Sequence, residues 1–160
     1  MRLLLLLATL PTAMACSSSG SGTTPDSYIY TCTASDDNPQ TYIAGLQVMG
    51  TSQKMAFSLL DAMPAPPARG NNTWMVQINA MMSDAMVGPA VTDATIVATP
   101  FMPDHGHGTP ILVGVTNNGG GQYELTPVNL WMPGYWVTTL VVTSPTAGTD
   151  TAQYKFCLPD

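Results

Sequence analysis

Apolar residues in this chain recur mostly at every second position, in short runs. Met55, Phe57 and Leu59 alternate with Lys54, Ala56 and Ser58, and Trp74, Val76 and Ile78 face one way within a run over 73–80. A period of two is the mark of a half-buried strand. Further strand-like runs cover 28–33, 42–48, 91–100, 111–115, 122–130, 135–143 and 152–158. Turn chemistry separates them: Asp36-Asp37-Asn38-Pro39, Gly70-Asn71-Asn72 and residues 117–121. The stretch 64–67 cannot be a central strand, because three of its four residues are proline and have no N–H. Residues 79–87 are the one segment with a pattern that predicts a helical turn. Eight or nine short strands, with turns every 8–12 residues, predict an all-β, antiparallel β-sandwich.

The first residues follow a different rule. Arg2 precedes an apolar run from Leu3 to Leu10 that Pro11 ends. The run is too short to span a bilayer, which takes roughly 20 apolar residues. It has the length of a secretory h-region. Ala13-Met14-Ala15 directly before Cys16 resembles the cleavage site of a bacterial lipoprotein signal, although Ala13 stands where such signals usually carry Leu. On this reading residues 1–15 are a signal peptide, Cys16 is lipidated, and the Ser/Gly/Thr-rich residues 16–27 are a flexible linker. The domain proper is then 28–160, in the envelope of a bacterium on a periplasmic or outer-membrane face. The alternative is ordinary signal-peptidase cleavage after Ala15, which leaves Cys16 as a free thiol.

Export bears on the other two cysteines. In an oxidising compartment Cys32 and Cys157 are expected to form a disulfide that ties the first segment to the last strand. A redox or metal-binding thiol pair would call for C-x-x-C spacing, which is absent. Charge narrows the partners. Only 9% of residues are charged, with 4 Lys+Arg against 10 Asp+Glu for a net charge of -6, and Arg2, Lys54, Arg69 and Lys155 lie scattered. Nucleic acid needs a clustered basic surface, so it is excluded as a partner. Loss of Arg2 with the leader takes the net charge from -6 to -7. Contact with an anionic membrane would therefore come through the N-terminal lipid rather than the domain surface.

One segment concentrates chemistry: Met102-Pro103-Asp104-His105-Gly106-His107-Gly108, which contains both histidines of the chain. Pro103 and Asp104 suit the central positions of a type I turn, placing Met102 and His105 at its ends. The glycines free the backbone so that both imidazoles can point the same way. Met132-Pro133-Gly134 repeats the Met-Pro pattern with type II turn chemistry. If the two turns share one end of the sandwich, Met102, His105, His107 and Met132 form a thioether–imidazole set. Such a set suits copper, above all Cu(I), rather than zinc, magnesium or calcium. Metal-bound imidazole must be neutral, so affinity is expected to fall in acid. The structural alternative is a His-Gly-His turn held by hydrogen bonds to backbone carbonyls. Methionine is abundant, 11 in all, and most of Met49, Met55, Met75, Met81, Met82 and Met86 are expected to fill the core, with Trp131, Tyr135 and Trp136 in the core and at its rim.

Several short motifs, in order, resemble the YtkA-like family, which is related to FixH proteins. They are 67–74 (Pro-Ala-Arg-Gly-Asn-Asn-Thr-Trp), Asp93-Ala94-Thr95-Ile96, the 102–108 segment, Gly121-Gln122-Tyr123 and Met132-Pro133-Gly134-Tyr135-Trp136. The likeness covers about residues 42–143. It implies an extracytoplasmic immunoglobulin-like sandwich from a family often found near copper-handling and oxidase-assembly proteins. It lays a Met-Pro-x-His pattern on Met102, Pro103 and His105, and a Met-x-Gly-x-Trp pattern on Met132, Gly134 and Trp136. The likeness does not extend to the membrane helix of FixH-type relatives, which argues against a direct role in oxidase assembly. The leading expectation is a copper-binding envelope lipoprotein for storage, sensing or hand-off, with a copper-accepting or other envelope protein as partner. The alternative is a non-catalytic structural or interaction module of the envelope. A hydrolase is not expected: no G-x-S-x-G turn is present, Ser83 and Ser144 stand in ordinary turn contexts, and the sole Glu, Glu124, lies in a strand.

Overall fold

The computed structural model describes Cys32 and residues 38–159. Ten strands follow in chain order: β1 Leu46–Met49, β2 Met55–Met63, β3 Gly70–Met81, β4 Val87–Ala90, β5 Thr95–Met102, β6 His107–Gly108, β7 Gly114–Gly119, β8 Gln122–Leu130, β9 Gly134–Ser144 and β10 Gly148–Leu158. They form two antiparallel sheets, one ordered β1-β2-β3-β8-β7 with β4 also pairing β3, the other ordered β10-β9-β5-β6. The protein is an all-β sandwich.

Alternation builds its core. On β3, Asn72, Trp74, Val76 and Ile78 are buried while the residues between them are more open, and on β10 Ala152, Tyr154, Phe156 and Leu158 do the same from the facing sheet. Trp74 meets Tyr154 and Phe156 edge-on, with ring centres 5.9 and 5.7 Å apart, an arrangement aromatic quadrupoles favour. Burial in this apolar setting pushes the Tyr154 hydroxyl well above the ordinary tyrosine pKa.

Two polar devices join the sheets. The Tyr123 hydroxyl donates to the Val91 carbonyl at 2.9 Å and accepts from the Ala94 N–H at 3.0 Å, pinning the segment that crosses from β4 to β5. The Asp150 carboxylate on β10, 1% exposed, accepts the N–H groups of Ser52 (2.8 Å), Lys54 (2.7 Å) and Met55 (3.0 Å) from the β1–β2 turn, and of Thr151 (2.8 Å). Burial alone would raise its pKa, but these four donors hold it below the usual carboxylate value. Gly50 packs against this carboxylate so closely that a Cβ there would collide with it.

The structure amends several sequence expectations. Residues 79–87 hold no helical turn: β3 runs on to Met81, a tight turn follows, and β4 begins at Val87. The Met82 N–H donates to the Met86 carbonyl at 2.9 Å across that turn. The apolar run 111–115 is not a strand as drawn, since pairing starts at Gly114 and continues through the expected turn to Gly119. The run 42–48 shortens to β1, because the chain turns at Gly45 with φ 82°. The run 91–100 shifts to β5 because Val91 and Ala94 are held by Tyr123. The expected strand 28–33 falls outside the described residues except for Cys32, as do the leader, Cys16 and the linker. Cys32 and Cys157 are joined by a disulfide, their Cα atoms 5.8 Å apart.

Candidate metal-binding corner

Residues Pro103–His105 form one turn of 3-10 helix entered from Met102, and the Gly106 N–H closes it by donating to the carbonyls of Met102 (3.0 Å) and Pro103 (3.2 Å). The expected type I turn is thus the first part of a slightly longer device. Gly106 ends it in the left-handed region at φ 67°. The chain then returns along β5, with Met102 opposite His107 and Phe101 opposite Gly108. Gly108 is required by contact: a Cβ there would lie 2.5 Å from the Pro100 carbonyl oxygen.

Residues directly opposite each other in an antiparallel pair project from the same face. His107 therefore shares a face with Met102. Met102 is a core residue, closed to solvent, whereas His107 is half-buried and His105 exposed. The two imidazole ring centres are 5.6 Å apart at an interplanar angle of 61°. The Nδ1 of His107 lies 3.1 Å from the Gly108 carbonyl oxygen.

The second Met-Pro bend lies against the first. The Trp131 indole stacks on the His107 imidazole, ring centres 5.7 Å apart at 22°. Met132 is half-buried and packs against the core, and its carbonyl accepts the Trp136 indole N–H at 3.0 Å. Gly134 opens β9 at φ 126°. Met102, His105, His107 and Met132 thus belong to two adjoining bends at one end of the sandwich. Sequence reasoning assigned Trp131 to the rim and missed its contact with His107. The signal available was its place next to Met132.

Other candidate residues lie elsewhere. The Ser144 hydroxyl donates to Asp93, as does that of Thr146 at 3.0 Å. These bonds, Ser144 foremost, hold Asp93 below the usual carboxylate pKa. Ser144 ends β9 at the pole opposite the histidines, since Gly134 starts that strand beside Trp131–Pro133. Glu124 pairs with Met75 and Thr116 in the larger sheet. Among the described residues no group of three or more His, Cys, Asp or Glu is arranged to hold a metal.

The sequence model of the YtkA-like family matches residues 52–141, more than half of the chain. The chain belongs to the YtkA-like family. The matched stretch runs from the β1–β2 turn into β9 and includes the whole His turn and the 131–134 bend. No curated protein and no solved structure matches the chain. Family membership makes this an envelope-associated β-domain of bacterial type. Among the described residues no helix is long and apolar enough to cross a membrane.

Proposed function

We propose that this YtkA-like domain binds copper, as Cu(I), through His105 and His107 with the thioethers of Met102 and Met132. It does so as a lipoprotein anchored through Cys16, for storage, sensing or hand-off rather than for catalysis. The observation that carries the reading is the spacing of the imidazoles. A metal–nitrogen bond of about 2.0 Å plus about 1.2 Å from nitrogen to ring centre keeps two rings on one ion within roughly 6.4 Å of each other. The separation of 5.6 Å meets that limit. A proton on Nδ1 of His107 would donate to the Gly108 carbonyl and leave Nε2 as the lone-pair nitrogen. Metal-ligating histidines are usually oriented in this way. Met102, on the same face as His107, offers sulfur from the core side, and Met132 offers it from the neighbouring bend.

The test is titration of the purified chain with Cu(I) under a competing chelator. The His105→Ala/His107→Ala variant should lose affinity by at least about tenfold, equivalent to about 1.4 kcal/mol. Unchanged affinity would refute the site.

The second reading, a non-catalytic interaction module, has its own observation. Leu112 (90% exposed) and Ile111 in the loop after the histidines, together with Trp131, present apolar surface to solvent. That reading expects no change in melting temperature on adding copper.

A further inference from the structure

A group of methionines lies at the other pole. Met49 ends β1 and Met81 ends β3, and with Met82, Gln53, Ser83 and Ala85 they line one surface concavity. Met86 lies within the same turn, its carbonyl accepting the Met82 N–H. Met49 is 45% exposed, Met82 50% and Met86 59%. Their position follows from register. Met49 lies opposite Ala56, and Ala56 opposite Asn79, two residues before Met81 on the same side of β3, so Met49 and Met81 project from the outer face of the larger sheet.

Leaving large apolar side chains in water forgoes the stabilisation that burial would give. Exposure of several together marks a binding site more often than chance. The lining of this concavity includes no His, Cys, Asp or Glu. Thioethers are neutral, soft donors. They bind zinc, magnesium and calcium poorly, since those ions take thiolate, imidazole or oxygen, but they suit the soft monovalent ions of the copper group. The acidic chain supplies a favourable field for a cation.

We infer that Met49, Met81 and Met82, with Met86 at the rim, form a thioether-only site for Cu(I) or Ag(I), separate from the histidine corner. The strands linking the two poles are nine to twelve residues long in β2, β3 and β8. At about 3.3 Å per residue the two sites are roughly 30 Å apart and bind independently. The inference does not rest on the histidine reading. Thioether sulfur takes up no proton in the accessible range, and the charged residues next to the turn, Asp84 (its carboxylate accepts the Met86 N–H at 3.3 Å) and Lys54 (its carbonyl accepts the Met81 N–H at 2.7 Å), do not line the concavity, so the site retains its donors in acid.

The test uses Ag(I), which undergoes no redox cycling, on the chain carrying Cys16→Ser, so that no thiol outside the Cys32–Cys157 disulfide competes for the ion, with 13C at the methionine methyls. In the His105→Ala/His107→Ala background we expect one equivalent of Ag(I) to be retained at pH 7 and at pH 4.5. The methyl signals of Met49, Met81 and Met82 should shift. Adding Met49→Leu/Met81→Leu/Met82→Leu should abolish that equivalent, while the same three changes with both histidines intact remove one equivalent and spare the other. Leucine conserves volume, so folding is expected to persist, and an unchanged urea midpoint verifies it. A Met82→Leu single variant provides the same reading if the triple variant is unstable. Loss of all Ag(I) binding in the histidine-free chain, or methyl signals at 49, 81 and 82 that stay still, would overturn the inference and leave this patch as packing or docking surface. Failure of the histidine site alone reads differently: the histidine-free chain then binds as much Ag(I) as wild type, and that equivalent still depends on the methionines.

Discussion

Asp150→Ala is the perturbation with the most definite expected cost. Its carboxylate accepts four N–H groups, three of them about 95 to 98 residues away in sequence. The Met55 N–H is buried, and leaving such a donor unpaired costs about 1–3 kcal/mol. The other three are part-buried and can reach water once the side chain is gone, so each contributes about 0.5–1 kcal/mol. The total is about 2.5–6 kcal/mol, a large share of the roughly 5–15 kcal/mol that stabilises a typical domain. Asp150→Asn keeps one acceptor oxygen, enough for either the Ser52–Thr151 pair or the Lys54–Met55 pair, and should cost about half as much. Urea unfolding at pH 7 measures both values. The sign of the pH dependence follows from the lowered pKa. The stability contributed by the ionised carboxylate is present above the unfolded-state pKa of about 3.9 and is lost as pH falls through the lower folded value. Wild type should therefore approach the Asn variant below about pH 4. An Ala variant within about 0.5 kcal/mol of wild type at pH 7 would refute the reasoning, because surface substitutions without structural consequence fall in that range.

Two further predictions follow from covalent and steric constraints. Replacing Cys32 and Cys157 by serine opens a loop of 125 residues and should lower stability by up to about 5 kcal/mol in the chain-entropy account; urea midpoints of the variant and of wild type with and without reductant check it. Gly108→Ala places a methyl against the Pro100 carbonyl and should cost about 1–3 kcal/mol, and it should also disturb the His105 and His107 ring signals by NMR, whereas unshifted imidazole resonances would mean that the β5–β6 pairing does not position the histidines.

Legibility in the sequence varied with how much apolar burial each element carries. The run 122–130 coincides with β8, and the runs at 135–143 and 152–158 lie within β9 and β10, because alternating side chains there fill the core. The prolines at 64–67 mark the break between β2 and β3. The run 111–115 falls short of β7 because all six residues of that strand are exposed and its pairing comes from the backbone of β8. Residues 79–87 carry Met and Ala at spacings compatible with helix, but pairing with β4 takes over at the end of β3. At the candidate corner the two Met-Pro bends were visible as motifs. Their contact was not, because it depends on β5 lying beside β9 in the folded sheet. Asp150 gave no local sign, since its partners come from the far end of the chain.

The staple between Cys32 and Cys157 also sets an orientation. Cys157 pairs with Tyr135 at the start of β9, so the disulfide lies at the same end of the sandwich as the histidine turn. Whatever holds the preceding residues would tether the domain by that end, the end of the histidine turn. The methionine-lined concavity lies at the other end, away from that tether.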